Sequence, residues 1–130
     1  MKKEKFVRKV YDLAEEMGYT SFFIAEVVTG KQMVKLVKKA GGNDYCQELG
    51  IDPSSLLGYQ WDGSSFNGIA FNGTVVKDNK WKRLQPYVKH EIAHLITGLG
   101  DDDPKFMEFC ELNEIAYYYG TEDGEWKYVD

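Results

Sequence analysis

The chain has 130 residues, a length that suits one domain with a single moderate core. Hydrophobic residues make up 43% and charged residues 28%, a globular balance; a net charge of -5 argues against non-specific nucleic-acid binding and leaves room only for a local basic patch. No apolar run is long enough to span a membrane and no signal peptide opens the chain, so a cytoplasmic location is expected, with Cys46 and Cys110 as free thiols.

Lys3 to Met17 reads as an amphipathic helix. Phe6, Val10, Leu13, Ala14 and Met17 share one face, Lys and Glu fill the other, and Gly18 is a natural stop. Phe22 to Val28 is apolar and β-prone, which predicts a strand. Thr29 is placed to cap a second helix in which Met33, Leu36, Val37 and Ala40 face inward. Its Lys31, Lys35, Lys38 and Lys39 form a basic side, read as a solvated face before a patch for an acidic partner. Gly41-Gly42 ends it.

Asn43 to Gly63 reads as irregular, with turn signals at Asp52-Pro53 and Asp62-Gly63. Two short strands are expected next, Phe66 to Phe71 and Thr74 to Lys77, turning at one of the Asn-Gly pairs. Such a strand has two readings of equal weight. Its free edge can hold an extended peptide by strand addition, or the hairpin merely covers the core.

A helix from about Leu84 to Thr97 follows, with Leu84, Val88, Ile92, Leu95 and Ile96 on one apolar face. Pro86 belongs in its first turn, where a missing N–H does no harm, and Gly98 and Gly100 end it. Pro104 opens a last helix reaching about Tyr119, with Phe106, Phe109, Cys110, Ala116 and Tyr117 as its stripe. A short strand at Trp126 to Val129 is expected in the acidic tail.

Within the 84–97 helix, His90-Glu91-Ile92-Ala93-His94 has the form H-E-x-x-H. Residues four apart lie one above the other on a helix, so both imidazoles can meet one ion. Glu91 stands beside His90, within reach of a water on that ion. The bland alternative is two surface histidines on an ordinary helix. Against it, these are the chain's 2 histidines, and they fall together beside the apolar face.

Two histidines alone bind zinc weakly, so an acidic residue or water must complete the site. Asp103 precedes Pro104 and reads as a helix N-cap. Asp101 and Asp102 are free to turn toward the ion from a short loop. Glu114 borders the last helix's stripe about three turns in, while Glu108 and Glu111 should face water.

Around this helix the chain resembles the SprT-like zinc metallopeptidases, which include the Spartan DNA–protein crosslink proteases. In that family H-E-x-x-H is followed by H-G-P-x-F opening the next helix. Here the run is Asp102-Asp103-Pro104-Lys105-Phe106, with Pro and Phe in register and Asp102 where the third histidine stands. Cys110 falls where small phage and bacterial members often carry a cysteine. The likeness covers the second half of the chain at most, only H-E-x-x-H is specific, and the family's Cys-x-x-Cys ribbon is absent from the sequence. It implies Asp102 as third ligand, and a DNA-associated protein as one class of substrate. Asn113-Glu114-Ile115-Ala116 is also similar to the Asn-Glu segment of the gluzincins, which would make Glu114 the ligand.

The fold expected is α+β: one small zincin-like domain over residues 1–130, a short antiparallel or mixed sheet packed on the H-E-x-x-H helix, and a following helix. The function expected is zinc-dependent peptide hydrolysis. His90, His94 and Asp102 hold Zn²⁺, Glu91 takes a proton from the water, and Tyr87 or one of Tyr117 to Tyr119 assists the oxyanion. The alternative is a catalytically inactive binding module on the same fold, such as a phage or plasmid protein that binds a host factor.

Overall fold

Phe6, Val10, Leu13 and Ala14 are buried along one face of the first helix, α1 (Lys3–Glu16). The computed structural model describes residues 1–39, 58–63, 66–101, 103–118 and 126–127. Helix α1 stops at Gly18, whose φ of 84° is left-handed and costs glycine little. Strand β1 (Phe23–Val28) follows, and Phe22 before it is 76% exposed. The Tyr11 hydroxyl ties α1 to β1, accepting from the Ala25 N–H at 2.9 Å and donating to the Phe23 carbonyl at 3.4 Å.

Helix α2 (Gly30–Lys39) begins on a reciprocal cap. The Thr29 hydroxyl accepts from the Gln32 N–H at 3.1 Å, and the Gln32 side chain accepts from the Thr29 N–H at 2.9 Å. Met33 is buried as expected, whereas Ala40 and Cys46 lie outside the described residues.

The sheet is mixed. Strand β2 (Gly58–Gly63) falls at the end of a stretch that reads as irregular. It pairs antiparallel with β3 (Phe66–Asn72), from Gly58 opposite Phe71 to Gly63 opposite Phe66. On its other side β3 pairs parallel with β1, from Phe23 opposite Asn67 to Val28 opposite Asn72. The order is β1-β3-β2, so β3 is the central strand and has no free edge for a peptide.

The expected second strand of a hairpin is instead helix α3 (Gly73–Asp78). Asn72 is a helix cap there, its side-chain oxygen accepting from the Thr74 N–H at 3.0 Å. The β-branched Thr74-Val75-Val76 run yields to that cap and to burial of Val76. A Cβ on Gly73 would lie 2.9 Å from the Val28 carbonyl oxygen, so α3 can start this close to β1 only on glycine. The other pair, Asn67-Gly68, lies inside β3.

Helix α4 (Trp81–Thr97) starts earlier than its apolar pattern implies. Trp81 packs edge-on against Phe6, with the Lys9 ammonium 5.5 Å over its ring, and this anchors the extra turn. Pro86 therefore sits in the second turn, where it removes the bond that would run to the Lys82 carbonyl. Helix α5 (Pro104–Leu112) is shorter than expected. Asn113 and Glu114 close it, with Glu114 left-handed at φ 56° and the Ile115 N–H donating to the Cys110 carbonyl at 2.8 Å. Ala116 and Tyr117 are thus buried beyond the helix, and Tyr117 enters β4 (Tyr117–Tyr118), paired antiparallel with β5 (Trp126–Lys127).

The architecture is mixed α and β, with more helix than strand. Helix α4 stands between two cores. Leu84, Val88, Ile92 and Leu95 join Phe6, Val10, Ile69, Phe71 and Val76 on the sheet side. Ala93 joins Phe106, Cys110, Ile115 and Tyr117 on the α5 side. Each fully buried Phe, Ile or Leu contributes about 1.5–3 kcal/mol. Among the described residues, no helix is long and apolar enough to cross a membrane.

Candidate metal centre

His90 and His94 lie on α4 at the seam between the two cores, only 2% and 6% exposed. One helical turn separates them, and their Nε2 atoms approach to 3.1 Å. Asp101 comes from the turn that follows. Its Oδ1 lies 2.7 Å from Nε2 of His90 and 2.9 Å from Nε2 of His94.

The turn delivers Asp101 for local reasons. Gly98 is left-handed at φ 67° and donates its N–H to the His94 carbonyl at 2.8 Å, closing α4. The Thr97 hydroxyl donates to the Ala93 carbonyl at 2.8 Å and accepts from the Leu99 N–H at 3.2 Å. The far side is held by Asp103, whose carboxylate caps α5 by accepting from the Lys105 N–H at 2.9 Å. The capping role expected of Asp103 is therefore seen.

Both histidines are oriented from behind. Nδ1 of His90 donates to the Ala116 carbonyl at 2.8 Å, and Nδ1 of His94 donates to the Leu99 carbonyl at 2.7 Å. A carbonyl can only accept, so each Nδ1 carries the proton. A neutral ring then presents a bare lone pair at Nε2. Two lone pairs and a carboxylate oxygen converge within 3.1 Å with no donor among them. Such a cluster needs a cation at its centre, either a proton or a metal ion.

Without a metal the proton takes that place. Burial opposes charge on His94, but the hydrogen bond and charge of Asp101, the charge of Glu91 and the Leu99 carbonyl together outweigh it and push its pKa up to about 9. Burial likewise opposes ionisation of Asp101, but its close contacts with His90 and His94 hold it well below the usual carboxylate range. Burial pushes the Glu91 carboxyl up against the pull of His94 and His90. The Cys110 thiol is pushed up to about 12 by burial and by Asp101, which makes it an inert core residue.

The His90, His94 and Asp101 group can hold a metal ion. Tetrahedral zinc with bonds of about 2.0–2.1 Å sets its ligand atoms roughly 3.3 Å apart. The observed 2.7–3.1 Å needs a spread of only a few tenths of an ångström. The donor set, two imidazoles and one carboxylate, suits zinc and also iron(II).

The residues expected at the site fare differently. His90 and His94 come together, with Glu91 partly buried beside them. The carboxylate is that of Asp101, while Asp102 lies outside the described residues. Glu114 is exposed on the turn after α5 and is not in the group. The Tyr117 hydroxyl donates to Glu111, Tyr87 is 41% exposed, and Tyr119 lies outside the described residues. The two supporting carbonyls, of Ala116 and Leu99, were missed because backbone groups carry no letter in a sequence. The chain matches no family model, no curated protein and no solved structure.

Proposed function

We propose that this chain is a zinc-dependent metallopeptidase with a zincin-like, SprT-like site. His90, His94 and Asp101 hold the ion and Glu91 carries the proton. The observation that supports it most is the orientation of the histidines. Both Nδ1 atoms are occupied by backbone carbonyls, and both Nε2 atoms meet the Asp101 carboxylate at one point.

When bound, zinc supplies Lewis acidity that polarises a peptide carbonyl and lets a water lose its proton near neutral pH. Glu91, next to His90 on α4, accepts that proton and returns it to the leaving amine. Asp101 balances part of the ion's charge and keeps the imidazoles turned inward. In this reading the third ligand sits one residue before the position the SprT-like pattern implies.

The substrate is a protein or peptide, with DNA-associated proteins the class the resemblance favours. A cytoplasmic location, as the sequence leads one to expect, accompanies this reading. The test is chelator-sensitive cleavage of a broad peptide library by the zinc-loaded protein, with elemental analysis alongside. Zinc bound and peptides cleaved support the proposal. Zinc bound with nothing cleaved replaces it with the binding-module reading, and iron in place of zinc points to a different chemistry.

A further inference from the structure

We infer that Phe106 is the positioning residue of the metal centre, the group that fixes the planes in which the two imidazoles meet the ion. This rests on the metal site proposed above and is independent of the substrate.

Phe106 is wholly buried in the first turn of α5. Its ring lies 4.2 Å from that of His94 at an interplanar angle of 5°, face to face. It lies 5.3 Å from the ring of His90 at 90°, edge to face. The two imidazoles accordingly stand at 87° to one another. Both arrangements are favoured geometries for ring pairs.

The carbonyl bonds alone do not fix the rings. A hydrogen bond through Nδ1 pins one atom of each imidazole and leaves the ring able to turn about that atom. The flat face of Phe106 limits out-of-plane tilting of His94, and its perpendicular contact limits the swing of His90 toward it. A tilt of the His94 ring out of its plane toward Phe106, or a swing of His90 toward that ring, drives the imidazole into Phe106. Clamp and ligand also arrive on one capped segment. The Phe106 N–H donates to the Asp103 carbonyl at 3.0 Å, and the Asp103 side chain caps the same helix two residues after Asp101. The cap therefore positions the carboxylate and the aromatic ring together.

A Phe106 that merely fills the core with Ala93, Cys110, Ile115 and Tyr117 behaves differently from a clamp. Leucine at this position occupies much of the volume but has no flat face. The experiment titrates the metal-free full chain with Co²⁺ and Zn²⁺, comparing wild type, Phe106→Leu and the control Phe6→Leu. Phe6 is equally buried but packs on Phe71 and Trp81 in the other core. Both variants should lower the Tm of the metal-free protein. Only Phe106→Leu should shift the visible Co²⁺ bands and weaken Zn²⁺ in chelator competition, by roughly 10–100-fold, the range for groups that orient metal ligands. An unmoved Co²⁺ spectrum and Zn²⁺ affinity equal to that of Phe6→Leu would overturn the role of Phe106 while leaving the metal site standing. A wild type that binds neither ion overturns the site and this inference together. If Phe106→Leu does not fold, Phe106→Met, also without a flat ring, serves in its place.

Discussion

Nδ1 of His90 donates to the carbonyl of Ala116 at 2.8 Å, a bond spanning 26 residues. It means that the first ligand is oriented by chain beyond α5. An isolated α4 would carry both histidines without this support, so the site is a property of the folded protein.

The protein should bind about one Zn²⁺ per chain. His90→Ala, His94→Ala and Asp101→Ala should each weaken binding by about 100-fold or more, on the order of 2.7 kcal/mol. Asp101 is singled out because its Oδ1 meets both imidazoles. Chelator competition with Asp102→Ala alongside checks the choice: a larger loss at Asp102 would return the ligand to the residue the family resemblance implies.

Glu91 separates binding from chemistry. It lies beside the ligands without belonging to the His90, His94 and Asp101 group. Glu91→Gln keeps the shape but cannot accept a proton. It should retain zinc and fold and lose about 10²–10⁴-fold in peptide cleavage. Equal rates for the two proteins would show that the proton goes elsewhere.

The metal-free protein should have a pH-dependent stability set by the same cluster. The pKa of His94 is raised on folding from 6.5 to about 9, so its contribution is fully present below pH 6.5 and lost as the pH rises through about 9. Asp101 is depressed below its ordinary 3.8, so its contribution is present above that value and lost as the pH falls further. Urea unfolding of the metal-free protein should therefore show a plateau between about pH 4 and 6.5 and a decline of a few kcal/mol toward pH 9. His94→Gln should flatten the alkaline limb; an unchanged limb would assign it to another group.

Glu114 offers a test that distinguishes strain from ligation. It holds a left-handed backbone at φ 56° with an exposed side chain. Glycine adopts that conformation freely, so Glu114→Gly should stabilise the protein by about 0.5–1 kcal/mol and leave zinc affinity alone. Denaturant midpoints and zinc competition on the one variant settle both points. A loss of zinc would instead favour the gluzincin-like arrangement.

What the chain declares without its fold is whatever depends on short-range helical geometry. The spacing of His90 and His94 puts two imidazoles on one face of any helix that contains them, and the period of Phe6, Val10, Leu13 and Ala14 marks α1 in the same way. Asp103 before Pro104 is equally local, since a cap and a first-turn proline need only each other. Tertiary structure decided the rest. Asn72-Gly73 suits a hairpin turn as well as a helix start, and only the close approach of Gly73 to Val28 and the burial of Val76 select the helix. Adjacent aspartates such as Asp101 and Asp102 are equivalent by composition; the direction each side chain takes depends on φ and ψ through a turn bounded by Gly98 and the docked α5. The carbonyls of Leu99 and Ala116 are furthest from the sequence, because every residue has such a group and only the packing of distant segments determines which one meets an imidazole.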